Sequence, residues 1–122
     1  MMKRIICVLS WIAFISSPLA IAQGDKLEDL CYQSMRYNVY VQLAANSLSG
    51  QIRSHYEGEA FDSGKWQGIS HKETERMIRM AENNESSMQF AIRYQGDDSF
   101  ANAYRSGYIN DCKQNPHKYI SH

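Results

Sequence analysis

Two cysteines, Cys31 and Cys112, carry the most definite chemistry in this chain. A third, Cys7, lies in an N-terminal stretch that reads as a leader. Lys3 and Arg4 are followed by the apolar run Ile5 to Ile15, the breaker Pro18, and small residues at Ala20 and Ala22. That order is what a secretory signal peptide needs, and it predicts cleavage after Ala22. The apolar run is too short to span a bilayer as a stable helix. Cys7 then leaves with residues 1–22, and an even pair remains in an oxidising compartment, which predicts a Cys31–Cys112 disulfide. The two positions are 81 residues apart, and closing a loop of that size stabilises a fold by roughly 4 to 5 kcal/mol in the chain-entropy model. Without Cys-x-x-Cys spacing or neighbouring His, the pair fits neither a metal site nor a redox-active dithiol.

Other groupings are weaker. His55, Glu57, Glu59 and Asp62 could supply a general acid and base, but carboxylates become catalytic through burial and neighbours, and a Gly-rich polar stretch argues for neither. Gly58 to Lys65 resembles a phosphate-binding loop only superficially: the glycines are one residue too far apart, and Trp66 stands where Ser or Thr must hold magnesium. His71 and Glu75, one helical turn apart, lack a third ligand in register, so no metal and no cofactor is expected. No nucleophile elbow or dinucleotide fingerprint occurs, and no catalytic residue is assigned. Asn84-Glu85-Ser86 matches a glycosylation sequon, which behind a bacterial-type leader is taken as chance. The aromatic residues Tyr56, Phe61 and Trp66 are the candidate partner-binding residues. They either fold back on a small core or form a recognition surface, with the flanking acids aiming them at a basic partner.

Composition narrows the classes further. The leader carries two of the 13 basic residues and none of the 13 acidic ones, so residues 23–122 have a net charge of −2 with His neutral. Lys and Arg are scattered singly among acids, which excludes the clustered basic face that nucleic-acid binding requires. No membrane insertion is expected once the leader is removed. All eight tyrosines lie after residue 22, where they can close the rim of a small core or populate a binding surface.

These residues must be positioned by helices. Lys26 to Leu48 contains no Gly or Pro and spaces Leu27, Leu30, Cys31, Met35, Val39, Leu43 and Leu48 mostly three or four apart, with Asp25 as cap and Gly50 as stop. Tyr32, Tyr37 and Tyr40 cannot all share the face of Cys31 and Met35, so at least one should be exposed. Gly58, Gly64 and Gly68 interrupt the next region, which predicts a long irregular loop over 54–69. Ser70 and Glu73 have capping-box form and open a helix with Met77, Ile78 and Ala81 buried. Met88, Ala91 and Ile92 continue that face unless the helix breaks at Asn83-Asn84. Asp97, Asp98 and Ser99 then cap a last helix carrying Phe100, Ala101, Tyr104, Tyr108 and Cys112, with an interior Gly107. The tail 116–122 is expected to fray.

The expectation is therefore an all-α protein: a single small domain over 23–122, built as a bundle of three to four helices closed by one disulfide, with one long irregular loop. Functionally it reads as a small secreted or periplasmic non-enzymatic binding protein, of inhibitor, immunity or adaptor type, whose partner is another envelope protein. A periplasmic stress chaperone responding to acid is the alternative, since 13 acids and four His give pH a lever on charge. A small cell-envelope hydrolase using the acids near Glu57 and Glu59 stands third.

Overall fold

The computed structural model describes residues 26–120. Within them the chain forms helices and no strand: α1 over residues 26–45, α2 Gly50–Trp66, α3 His71–Glu82, α4 Glu85–Gly96, α5 Asp98–Gln114 and the single turn α6 Pro116–Tyr119. The all-α expectation holds, with more helices than the three or four foreseen. The leader 1–22, its cleavage site and the Asp25 cap lie outside the described residues.

α1 is the axis of the fold. A surface helix hides one stripe, whereas no residue of α1 from 33 to 45 is exposed. On one side Val41, Ala44 and Ala45 pack with Ala60 of α2 and Ile78 of α3. On another, Met35, Val39 and Leu43 pack with Ala91 of α4, ringed by Phe90, Tyr94, Tyr104 and Tyr108. A helix enclosed this fully must satisfy its polar side chains internally. The Ser34 hydroxyl lies 2.8 Å from that of Tyr108 on α5, Tyr37 donates to Thr74 Oγ1 of α3 at 3.2 Å, and the Tyr104 hydroxyl donates to Asn38 Oδ1. Arg36 reaches Glu59 and Asp62 of α2. Of the three early tyrosines, Tyr32 is the exposed one, while Tyr37 and Tyr40 are half-buried against the core.

α1 stops earlier than expected. The Asn46 amide donates to Gln42 O at 2.8 Å and the Ser47 hydroxyl to Leu43 O at 2.7 Å, so side chains satisfy carbonyls the helix end leaves open. Leu48, expected on the buried stripe, is fully exposed, and Gly50 opens α2 instead of ending α1.

The expected loop over 54–69 is helix for most of its length. Ser49 caps α2, its Oγ accepting from the Ile52 amide. At the other end Gly68 has φ +77°, the Ile69 amide donates to Gly64 O at 2.8 Å, and the Gly68 amide donates to Lys65 O at 3.1 Å, which together form a Schellman turn. The face α2 buries is Ala60, Ser63 and Gly64. These small residues let the backbone approach α1 and α3 closely, but they produce no period of large apolar residues.

α3 starts as expected, the Glu73 amide donating to Ser70 Oγ at 3.1 Å. The reciprocal half of the box is replaced by a Glu73–Arg76 ion pair. The helix breaks at Asn83-Asn84, where Asn84 Oδ1 accepts from the Ser87 amide at 3.1 Å and begins α4. The break turns α4, so Ser87 and Ala91 are buried while Met88 and Ile92, expected on the buried face, are exposed. Asp97 caps α5, and Cys112 near its end meets Cys31 with Sγ–Sγ 2.10 Å and Cα–Cα 5.7 Å, both residues fully buried.

The expected frayed tail instead holds α6. The Tyr119 ring lies 4.7 Å from that of Tyr108, and its hydroxyl donates to the Asp111 carboxylate, with the Lys118 ammonium 3.5 Å from that carboxylate. The Tyr119 hydrogen bond, aided by Lys118, holds the Asp111 carboxyl below its usual range. A carboxylate lowered by docking favours the docked state above the ordinary Asp pKa, and that contribution disappears as pH falls through the lowered value. Protection of the Ile120 amide, which donates to Pro116 O, should therefore fall below roughly pH 4 while α1 stays protected. Native-state hydrogen exchange at pH 3 and pH 6 tests this, and equal Ile120 protection at both would refute it.

Candidate partner-binding site

The three aromatic residues singled out by the sequence lie on one helix but not on one face. Tyr56, Phe61 and Trp66 are successively five residues apart, which turns each about 140° from the last on an α-helix. Tyr56 turns inward, its ring 5.8 Å from that of Tyr40 and packed against both core clusters. Phe61 stacks on the His71 imidazole at 3.7 Å. Trp66 alone projects outward, 66% exposed.

Trp66 sits where the last turn of α2 meets the start of α1. The Gln67 amide holds that junction, donating to Gln33 O of α1 at 3.1 Å and to Ser63 O at 3.0 Å. A groove of about 550 Å³ opens there between Trp66 and the α1 residues Leu30, Tyr32 and Gln33, with Lys26 and Asp29 at its edge. Tyr32 is 47% exposed, so the groove brings two exposed aromatic side chains together. Past Trp66 the surface continues over Asp62 and Lys65 to a second hollow of about 500 Å³, against Phe61, Ile69 and His71. Trp66 is thus joined by Tyr32 and Leu30, neither of which the sequence placed beside it. The clue available was that Tyr32, Tyr37 and Tyr40 could not all be buried.

The acids near these aromatics are committed elsewhere. Glu59 and Asp62 both pair with Arg36, and Glu57 pairs with Arg53, which also reaches Glu82 of α3. Burial works against the Arg36 charge, but its hydrogen bonds to Glu59 and Asp62 outweigh that and raise its pKa. Each arginine serves two acids, Arg36 with Glu59 and Asp62 and Arg53 with Glu57 and Glu82, so the negative field beside the aromatic residues is reduced by about half and not removed. This also places Glu57 and Glu59 in ion pairs that join or brace helices. His71 and Glu75 pair with each other at 3.0 Å, and no group of three or more His, Cys, Asp or Glu that could hold a metal ion occurs among the described residues. No described helix is long and apolar enough to cross a membrane.

Tyr56 lines a different surface, a groove of about 680 Å³ between α1 and α2 on one side and α4 and α5 on the other. Compared with protein-family models, curated proteins and solved structures, the chain matches none.

Proposed function

We propose that this chain is a small secreted or periplasmic binding protein, of inhibitor, immunity or adaptor type, that docks an envelope protein onto the Trp66–Tyr32–Leu30 groove without chemistry of its own. The observation that carries the reading is Trp66, a large side chain left two-thirds exposed beside a half-exposed Tyr32 on a junction held by Gln67 and the buried packing of α2. Rigid aromatic residues of this kind bury much area for little loss of rotamer freedom, and they dominate the energetics of protein interfaces. Lys26 and Asp29 flank the groove with one charge of each sign, which fits a partner with an apolar anchor and a mixed polar rim. The leader-like N-terminus and the Cys31–Cys112 bond support an oxidising compartment outside the cytoplasm. A mature N-terminus at Gln23, read by mass spectrometry of the exported protein, checks that location.

Affinity capture from an envelope extract, run in parallel with wild type and Trp66→Ala, tests the binding reading. The expected result is one stoichiometric partner for wild type, with affinity for the purified partner lowered at least about thirtyfold by Trp66→Ala, the scale of an interface hot spot. Equal recovery by both proteins would overturn it. Many weak clients whose capture increases in acid would replace it with the stress-chaperone alternative.

A further inference from the structure

We propose that the groove between the α1–α2 pair and the α4–α5 pair is a binding site for a neutral saccharide, separate from the Trp66 surface. Tyr40, Tyr56 and Tyr94 line it, the Tyr94 ring lying beneath the Arg105 guanidinium, and its other polar groups are those of Asp98, Asn102 and Arg105. A pyranose presents an apolar C–H face and a rim of hydroxyls, each able to donate and accept. Its site therefore needs fixed aromatic faces together with hydrogen-bonding groups of both kinds.

The groove sets tyrosine side chains beside hydrogen-bonding groups of both kinds. Tyr40 and Tyr56 are held from behind by the core clusters, so their rings are set before any ligand arrives. Five other tyrosine hydroxyls, those of Tyr37, Tyr94, Tyr104, Tyr108 and Tyr119, each have a protein partner. The hydroxyls of Tyr40 and Tyr56 have none among the described residues and are not cut off from solvent. Arg105 is positioned by its own contacts, donating to the Tyr94 hydroxyl at 2.8 Å and to Asn102 Oδ1, which leaves the Asn102 amide group free to donate outward. Asp98 supplies an acceptor. The single acid and single base among these groups cancel, so a ligand of either charge meets a like charge as well as an opposite one. At about 680 Å³ the groove lies within the range of small-molecule sites and suits a short oligosaccharide.

The test is a two-dimensional amide NMR titration of the mature, disulfide-bonded protein with chitotriose and, separately, maltotriose. Asn102 is exposed on α5, so Asn102→Ala should leave the fold unchanged, and Tyr40→Phe keeps the ring while removing only the hydroxyl. The expected result is saturable shifts confined to the amides around Tyr56, Tyr94 and Asn102 with at least one sugar, at a Kd of about 1 mM or tighter. Each substitution should weaken binding at least about threefold, and Trp66→Ala should leave it unchanged. No saturable shift in the groove with either sugar up to about 20 mM overturns the proposal. So do shifts that neither substitution weakens, or a groove that responds to sialyllactose or a short peptide but to neither neutral sugar.

Discussion

Reducing the Cys31–Cys112 bond is expected to lower the stability of this protein by roughly 4 kcal/mol, a large share of what a domain of this size possesses. The bond joins the start of α1 to the end of α5, and the chain between them includes almost every helix described. Without the link the unfolded chain regains the freedom of an 81-residue loop. Both sulfurs are fully buried, so a Cys31→Ala, Cys112→Ala variant should lose that contribution and a further increment for the space left behind. Urea denaturation of the oxidised, reduced and doubly substituted proteins measures it. A loss below about 1 kcal/mol on reduction would show that the link constrains little that packing does not already hold.

Two glycines of α2 are expected to respond to substitution with opposite signs. A Cβ added at Gly64 would lie 3.0 Å from the Tyr37 ring and 3.1 Å from Thr74 Oγ1, and those two side chains are hydrogen-bonded to each other. Gly64→Val should therefore cost about 2 kcal/mol through overpacking and lower Tm by roughly 10 °C. At Gly58 nothing lies within 4 Å of an added Cβ, and the residue is exposed in mid-helix. Gly58→Ala should raise stability by about 0.5 to 1 kcal/mol, or a few degrees in Tm, because alanine loses less backbone entropy on becoming helical. Gly107 of α5 has equally open surroundings, so no packing contact explains its missing side chain. Thermal melts of the variants decide the matter, and a Gly58→Ala protein that melts lower than wild type would contradict the helical assignment of this region.

Those glycines also show why part of the fold was not legible from sequence. α1, α3 and α5 announce themselves through large apolar residues at helical spacing and through the caps Ser70 and Asp97. α2 packs through Ala60, Ser63 and Gly64, and a close backbone approach built from small side chains leaves no hydrophobic period to read. Its end signal was present in Gly68, but a glycine marks a Schellman turn only once the residues before it are known to be helical. α6 is held by Tyr119 against Tyr108 and Asp111, contacts that depend on where the end of α5 lies. Trp66 was recognisable as a large side chain with no assured place in the core, and the structure leaves it outside. Its companion Tyr32 and the commitment of Glu59 and Asp62 to Arg36 depend on how α2 lies along α1, which local patterning does not encode. The tyrosine groove draws on four helices and had no linear signature at all.

The enclosure of α1 bears on the order in which the molecule can assemble. Among the described helices α1 comes first in the chain and is covered by those that follow it, so its apolar positions stay uncovered until the later helices are made. Ser34, Arg36, Tyr37 and Asn38 lend it polarity during that wait, and each later takes a partner on a particular outer helix, Tyr108, Glu59, Thr74 or Tyr104. An arriving helix displaced by one turn would strand the polar group meant for it, which disfavours wrong registers as well as stabilising the right one. Cys112 lies on α5, the last long helix among the described residues, so the sulfur link can form only once α1 to α4 and most of α5 have been laid down. It ties together every residue from 31 to 112, and none of them can be missing when it forms.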